Sequence, residues 1–313
     1  MYAYIIRRLL ATIPVMCVVA VVVFLLLHLT PGDPVTVIAG DYARPEDIAR
    51  IRAKLGLDQP LYVQFVRWAG DVLRGDLGES IFSNLPVSHL IAQRLEPTVA
   101  LSVSTTVFAI LLAVPMGVFA AWKAGTWIDR SVMMFAVLGF SVPVFVIGYI
   151  LMYIFSLGLG WFPVQGYKPI ADGFWPFVQS ITLPTIALGV VYTALIARIS
   201  RASVLEVLTE DYVRTAKAKG LADSALLIRH ALRNAAVPIV TIIGIGVALL
   251  IGGVVVTESV FNIPGLGRLT IDAVLRRDYP IIQGVILVFS GIYVVVNLII
   301  DLMYTVLDPR IRY

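Results

Sequence analysis

Charged residues are scarce in this chain. Asp, Glu, Lys and Arg make up 14% of its 313 residues, whereas 59% are hydrophobic. Soluble domains carry roughly 25% charged residues, so this apolar surface exceeds what one water-soluble core can bury. The shortage of charge therefore excludes an ordinary soluble domain and predicts a membrane protein.

Cysteine and histidine are rarer still. The single cysteine, Cys17, lies inside an apolar run, so an internal disulfide and a cysteine-based zinc framework are both excluded. The three histidines, His28, His89 and His230, lie far apart and lack the spacing of metal ligands. The net charge is +4, but the basic residues flank apolar runs rather than alternating with aromatic residues, so no nucleic-acid partner is expected.

The sequence also lacks the motifs of several enzyme classes. No glycine precedes a lysine, which excludes the phosphate-binding Gly-x-x-x-x-Gly-Lys-Ser/Thr loop, so the chain is not expected to hydrolyse ATP by that machinery. A Gly-x-Ser-x-Gly turn and a His-Glu-x-x-His helix are absent too. The chain is therefore predicted not to be an enzyme.

Long apolar runs, by contrast, are abundant. The first follows Arg7 and Arg8 and is long enough to cross a hydrocarbon core of about 30 Å. A cleaved signal peptide is the alternative, but its apolar region is usually only about 7–15 residues long and ends in a small-residue cleavage site, and no such site is found in His28-Leu29-Thr30-Pro31-Gly32-Asp33-Pro34. We therefore predict an all-α polytopic membrane protein with six transmembrane helices. They are expected at Leu9–Leu29, Val99–Ala121, Ser131–Leu157, Ile181–Ala197, Ala235–Thr257 and Ile281–Met303.

Three regions follow from this pattern. Residues 1–30 are expected to form a cytoplasmic N-terminus and the first span, residues 31–96 an extracytoplasmic helical insertion, and residues 97–313 a core of five transmembrane helices. Within the insertion, helices are predicted at Pro45–Leu55 and Pro60–Leu73, each with a proline near its start. Lys and Arg concentrate in the short segments that share a side with both termini, so both termini are predicted to be cytoplasmic.

The second helix of the insertion carries an apolar stripe. Packing of this stripe onto the membrane helices is the simpler interpretation, and docking of an external partner is the alternative. The stripe comprises Leu61, Phe65, Trp68, Val72 and Leu73.

A polar stretch, residues 198–238, separates the fourth and fifth apolar runs. Its central part has acidic residues up to Asp211 and then Lys217 and Lys219 ahead of Gly220. Acidic residues at the start and basic residues at the end suit the dipole of a short helix, and glycine is the preferred residue just past a helix end. The pattern predicts a two-turn helix that ends at Gly220.

A second helix start at Asp223 makes this stretch a helix-turn-helix on a membrane surface. Val213, Ala216 and Gly220 fall on one side of the first helix, where small residues would let another backbone approach. This favours docking of a partner. A basic loop that only fixes topology and touches lipid headgroups is the alternative.

The same stretch resembles a known family. The pattern Tyr212-x-x-Thr215-Ala216-Lys217-Ala218-Lys219-Gly220, followed by His230-Ala231-Leu232-Arg233-Asn234, is similar to the coupling loop of ABC importer permeases of the dipeptide, oligopeptide and nickel branch. The wider importer pattern begins Glu-Ala-Ala and ends Leu-Pro, where this chain has Arg214-Thr215-Ala216 and Leu232-Arg233; these departures fit the peptide branch. Further matching segments are Pro31-Gly32-Asp33-Pro34, Asp58-Gln59-Pro60, Gly75-Asp76-Leu77-Gly78, Phe261-Asn262-x-Pro264-Gly265-Leu266-Gly267-Arg268, Arg277-Asp278-Tyr279-Pro280 and Asp308-Pro309-Arg310-Ile311-Arg312.

This resemblance implies a type I ABC importer permease fold in a bacterial or archaeal inner membrane, surrounded by lipid. It implies a path for dipeptides, oligopeptides or related solutes. The partners would be a homologous second permease, two cytoplasmic ATPase subunits and an extracytoplasmic solute-binding protein. No cofactor is expected in this chain, because ATP and Mg²⁺ would be bound by the ATPases. The residues expected to couple to the ATPases are Asp211, Tyr212, Arg214, Thr215, Ala216, Lys217, Ala218, Lys219 and Gly220.

Three charged residues near predicted external loops, Arg277, Asp278 and Glu258, are candidates for the solute path; for the first two, a solvated loop pair is the alternative.

Two other function classes stay open. An ion-coupled secondary transporter usually has ionisable groups near the bilayer midplane, which these spans almost lack. A membrane scaffold would bind cytoplasmic partners without needing a solute donor. The solute is also open: dipeptides, longer peptides, glutathione, nickel chelates and some sugars all fit.

Overall fold

The computed structural model describes residues 2–29, 44, 46, 52 and 58–307, which are almost entirely helical. Of the predicted helix Pro45–Leu55 only residues 46 and 52 are described, and the segments 31–34 and 308–312 lie outside the described residues. The helices are α1 Tyr2–Leu29, α2 Leu61–Leu73, α3 Val87–Trp122, α4 Trp127–Ser141, α5 Val144–Leu151, α6 Phe174–Leu208, α7 Asp211–Ala218, α8 Ala236–Val260, α9 Leu266–Arg276 and α10 Tyr279–Leu307.

Five of the described helices, α1, α3, α6, α8 and α10, are long and apolar enough to cross a membrane. A sixth span results if α4 and α5, the latter extended by a π-helix over Met152–Gly158, are counted together. These two segments differ in direction by 102°. The break lies at Pro143, which caps α5, and Val142 before it is extended because a proline disfavours helical conformation in its predecessor.

The chain divides into two compact units. The first contains Met1–Leu95 and Arg268–Val294. In it, the ring of Phe24 on α1 lies 5.3 Å from that of Phe65 and 5.7 Å from that of Trp68, both on α2. Part of the predicted apolar stripe therefore packs against the first membrane helix. Leu61 and Leu73, at the two ends of the same helix, are exposed.

The second unit contains Glu96–Gly267 and Val295–Tyr313. Its centre is α6, which is buried over 72% of its most apolar stretch, whereas the other four long helices are buried over 11–28% of theirs. Helices α4, α5 and α8 all pack against α6. The helix that leads directly into the polar stretch is thus the core of this unit, and residues 198–208 of that stretch belong to it.

Candidate functional site

Helix α7 follows α6 almost without a break. Thr209 is the C-cap of α6 in helical conformation, and Glu210 is the extended N-cap of α7. Only these two residues separate the helices, and neither is glycine or proline. The two helices are therefore joined by a short turn.

The ends of α7 carry the predicted charges. Asp211 lies in the first turn and Lys217 in the last, so each favours the helix dipole. Arg214 Nη1 lies 3.5 Å from Asp211 Oδ1, but both side chains are largely exposed, so this ion pair contributes little to stability. Its members are accessible to a partner.

The C-terminus of α7 is a Schellman motif. The N–H of Gly220 donates to the carbonyl of Lys217 at 3.0 Å, and the N–H of Leu221 donates to that of Ala216 at 3.3 Å. Gly220 has a φ of +82°, in the left-handed region that glycine adopts without penalty. The predicted two-turn helix and its glycine stop are confirmed.

The inner side of α7 packs against this chain itself. Val213 is only 4% exposed and Ala216 is half-buried. The hydroxyl of Tyr212 accepts a hydrogen bond at 2.8 Å from Nδ2 of Asn234, which also donates to the carbonyl of His230. Val213 is thus covered by its own chain, whereas Ala216 stays partly accessible, and the approach of another backbone on this side stays a prediction.

Apart from Val213 and Ala216, the residues of α7 are exposed. A cleft of about 520 Å³ lies beside the helix. The exposed coupling candidates are Asp211, Tyr212, Arg214, Thr215, Lys217, Ala218, Lys219 and Gly220, and the cleft is lined by Tyr212, Thr215, Ala216, Lys219, Gly220, Leu221 and His230. The structure thus places the sequence-predicted residues on one short helix and its C-terminal cap, and leaves most of them exposed.

A small apolar core lies in the same unit as α7. Its buried members are Val204 on α6, Ala231, Ala235, Ile239 on α8 and Ala121 on α3. Ala231 belongs to a π-helix over Leu226–Leu232, which follows a single helical turn, Asp223–Ala225. The predicted second helix of the stretch begins at Asp223 as expected, but its π-helical form was not foreseen.

Two of the three solute-path candidates lie in the first unit. Arg277 is exposed and has a φ of +58° just past the end of α9. Asp278 is only 2% exposed, and its carboxylate accepts hydrogen bonds from the Ser80 hydroxyl at 2.6 Å and the Ile81 N–H at 3.3 Å. This geometry holds a loop in place, and a role of these residues in solute movement stays a prediction.

The third candidate, Glu258, lies in the second unit and is fully buried. The hydroxyl of Thr98 donates to its Oε1 at 2.5 Å, and the same hydroxyl oxygen accepts from the N–H of Leu266 at 2.8 Å. Gly265 and Gly267 both lie against its carboxylate. Glu258 therefore helps to fix the start of α9, and contact with a solute stays a prediction here as well.

Sequence reasoning missed the contacts that join distant segments. Asp129 at the start of α4 pairs with Arg201 on α6, 72 positions further along the chain. The sequence signal for such a pair is the presence of oppositely charged residues near the ends of successive apolar runs. A sequence pattern does not say which of these side chains face each other. Tyr167 is another example: it donates a hydrogen bond at 3.2 Å to Glu96, and burial, reinforced by that carboxylate, raises the pKa of its hydroxyl well above the usual value. Among the described residues, no three His, Cys, Asp or Glu side chains come together as they would around a metal ion.

Two family models match this chain. One, described as the inner membrane component of binding-protein-dependent transport systems, matches residues 113–313. The other, for the N-terminal part of such membrane components, matches residues 1–102. Together they match both the N-terminal region and the region that contains α7.

Curated relatives match over the full length of the chain. A probable peptide ABC transporter permease of Sinorhizobium fredii is 56% identical over 313 residues, covering 100% of both chains. A glutathione transport system permease of Salmonella paratyphi A is 46% identical, again over 100% of both chains. A putative peptide transport system permease of Brucella abortus is 44% identical with the same coverage.

A solved structure has a similar fold. The inward-facing MetNI methionine ABC transporter includes a chain that matches with a TM-score of 0.59 and 16% identity, over 70% of this chain and 96% of that one. At this identity the likeness concerns the fold alone.

Proposed function

This chain belongs to the family of inner membrane components of binding-protein-dependent transport systems, the permeases of ABC importers, and we propose that α7 is the helix that couples it to its ATPases. Family membership makes it a multi-pass transport subunit of the inner membrane with a type I importer permease fold, and not an enzyme. The ion-coupled transporter and the scaffold are set aside on that ground. One observation supports the coupling role: α7 is short, capped at its end, exposed on one side and attached directly to the central helix.

In this proposal, two cytoplasmic ATPase subunits bind ATP and Mg²⁺, and one of them contacts the outer side of α7. When ATP binding closes the ATPases, α7 moves with them. Because α7 follows α6 directly and Tyr212 bonds to Asn234 ahead of α8, the displacement is delivered to both helices, which meet in the core that contains Val204 and Ile239. The helices of the permease then rearrange between outward-open and inward-open states, in keeping with alternating access.

The proposed solutes are peptides or peptide-like compounds, glutathione among them, delivered by an extracytoplasmic binding protein. The full-length relatives whose names mention peptides or glutathione support this choice. Uptake in a strain that lacks this gene, with and without the cloned gene, discriminates the candidates. Dipeptides, longer peptides, glutathione, a nickel chelate and a sugar should be offered in turn, and restoration by the sugar alone would contradict the proposal.

A homologous second permease is proposed to pack on α8. One face of this helix is apolar and exposed along most of its length: Ile245 is 50%, Leu249 56% and Val256 37% exposed, and nothing lies within 4 Å of a Cβ placed on Gly252. Residues at this spacing share a helix face, and a glycine among them permits close approach of another helix. The partner would cover this face and complete the path.

Both termini and α7 are proposed to lie in the cytoplasm, with residues 31–96 on the other side of the membrane. Cysteine crosslinking tests this orientation and the ATPase contact together. In a Cys17→Ser background, single cysteines replace Arg214 or Ala218 on the outer side of α7. The control is Asp172→Cys, in the loop before α6.

The complex is assembled with its ATPases and treated with a thiol crosslinker. Arg214→Cys and Ala218→Cys should form crosslinks to an ATPase subunit, and Asp172→Cys should form none. Membrane-impermeant thiol reagents added from outside intact cells should label only Asp172→Cys. Absence of crosslinks at both α7 positions in an assembled complex would contradict the coupling role.

A further inference from the structure

One ion pair stands out in the second unit because its charges lie in helices that span the membrane. Arg201 on α6 donates to both carboxylate oxygens of Asp129 on α4: Nη2 to Oδ2 at 2.7 Å, and Nε to Oδ1 in an even shorter contact. Asp129 is only 5% exposed. A two-point Arg–carboxylate pair fixes orientation as well as distance, so it holds the two helices in one relative position.

The same carboxylate also binds the preceding turn. The N–H of Gly125, which lies between α3 and α4, donates to Asp129 Oδ2 at 2.9 Å. Asp129 therefore connects three parts of the chain: the start of α4, the turn that follows α3, and α6. An acidic residue in the first turn of α4 also suits the dipole of that helix.

Backbone packing reinforces this connection from α3. A Cβ placed on Gly117 would lie 2.5 Å from Cβ of Ser200 and 2.9 Å from the backbone nitrogen of Arg201. Such distances mean that α3 and α6 are in direct backbone contact at the residue that carries the ion pair. The ends of α3, α4 and α6 are thus joined at one level of the unit.

We propose that Asp129 and Arg201 are positioning residues for transport: they make the adjoining ends of α3 and α4 move as one body with α6 when α7 is displaced. This inference rests on the proposed coupling role of α7. Arg201 lies about two helical turns, roughly 10 Å, before the end of α6, where the displacement enters. Through this pair, a movement of the end of α6 becomes a joint movement of the ends of α3, α4 and α6. Without it, α6 slides past its neighbours and the force from the ATPases is lost before it reaches them.

The experiment uses the full complex, with ATPases and binding protein, in proteoliposomes. Solute taken up and ATP hydrolysed are measured in the same preparation for wild type, Asp129→Asn and Arg201→Lys. The first variant removes the charge at nearly constant shape, and the second keeps the charge but loses the two-point geometry. The matched control is Arg130→Gln, which removes an exposed charge next to the pair.

Solute transported per ATP hydrolysed should fall at least about fivefold in both variants, the lower range of coupling between sites, while ATP hydrolysis continues. Arg130→Gln should keep the wild-type ratio. A purely structural pair would lower expression or melting temperature and leave this ratio unchanged, and that result would overturn the proposal.

A rescue keeps the test decisive if the single variants assemble poorly. Asp129→Cys and Arg201→Cys are combined in the Cys17→Ser background and bridged by a bifunctional thiol reagent about as long as the natural pair. The bridged complex should regain coupled uptake. If the complex assembles and is bridged but stays uncoupled, the proposal is refuted. Failure of the proposed coupling role of α7 would give a different result, because the wild-type chain would then form no crosslink to an ATPase through α7.

Discussion

Gly220 is the residue at which the coupling proposal is most directly testable. It ends α7 with a φ of +82°, and no atom lies within 4 Å of a Cβ placed on it. A Cβ at this position therefore meets no obstacle beyond the adjacent residues, and the main cost of a substitution arises from the backbone conformation. The series Gly220→Asn, Gly220→Ala and Gly220→Val separates this conformational cost from packing.

The expected order of the three variants follows from the cost of placing each residue type in the left-handed backbone region. An L-residue there costs about 1–2 kcal/mol, Asn costs less because its side chain can bond locally, and a β-branched residue costs more. A cost of 1–2 kcal/mol shifts the equilibrium between the capped and the uncapped end of α7 by about 5- to 30-fold. Coupling should therefore decrease in the order Gly, Asn, Ala, Val.

The assay is again solute uptake per ATP hydrolysed in proteoliposomes, with ATPase co-purification as the measure of assembly. Because α7 lies outside the spans, membrane insertion and the melting temperature of all three variants should stay close to wild type. Gly220→Val should be strongly uncoupled and Gly220→Asn nearly normal. Normal uptake per ATP by Gly220→Val would refute the reasoning, and equal loss in Asn and Val would show that something other than φ is responsible.

Three further outcomes are expected in thermal unfolding of the purified chain. Arg277→Gly should raise the free energy of unfolding by about 0.5–1 kcal/mol, because the arginine has a φ of +58° and glycine adopts that conformation at no cost; no gain would contradict this. Asp278→Ala should lower it by about 1–3 kcal/mol for each of the two donors left unpaired, with Asp278→Asn losing less, and equal losses would argue against a role in hydrogen bonding. Gly244→Leu should cost about 1–3 kcal/mol because its Cβ would collide with Ile300, whereas Gly252→Leu on the same helix should leave stability unchanged and impair only assembly with the second permease.

The local features of the site could be predicted because their causes are local. Helix α7 has acidic residues at its start, lysines at its end and a glycine one residue past its C-cap, and these signals act within two helical turns. The apolar spans could be predicted as well, because each helix must satisfy its own backbone hydrogen bonds in lipid. Span ends were less accurate: α6 continues to Leu208 rather than ending at Ala197, because a helix does not have to stop where its apolar residues do.

The remaining features depend on contacts that no local pattern records. Pro143 signals a break, but not a 102° change of direction, which depends on how α4 and α5 pack against α6. The Asp129–Arg201 pair joins residues 72 positions apart, and its existence requires both side chains to face inward. Asp278 looks like a solvated loop charge in sequence, and only the fold shows that a hydroxyl and an N–H nearly 200 positions away occupy its oxygens.

The two chain connections of α7 differ in length and conformation. Towards α6 the link is Thr209 and Glu210, without glycine, and α6 itself runs unbroken for 35 residues, about 52 Å. Towards α8 the chain passes Gly220 in left-handed conformation, a single helical turn and a π-helix. Under the proposed coupling role, displacement of α7 reaches α6 through this short link and reaches the residues ahead of α8 through the hydrogen bond between Tyr212 and Asn234. The Asp129–Arg201 pair lies on the first of these two routes, so its loss should separate ATP hydrolysis from transport if the coupling proposal holds.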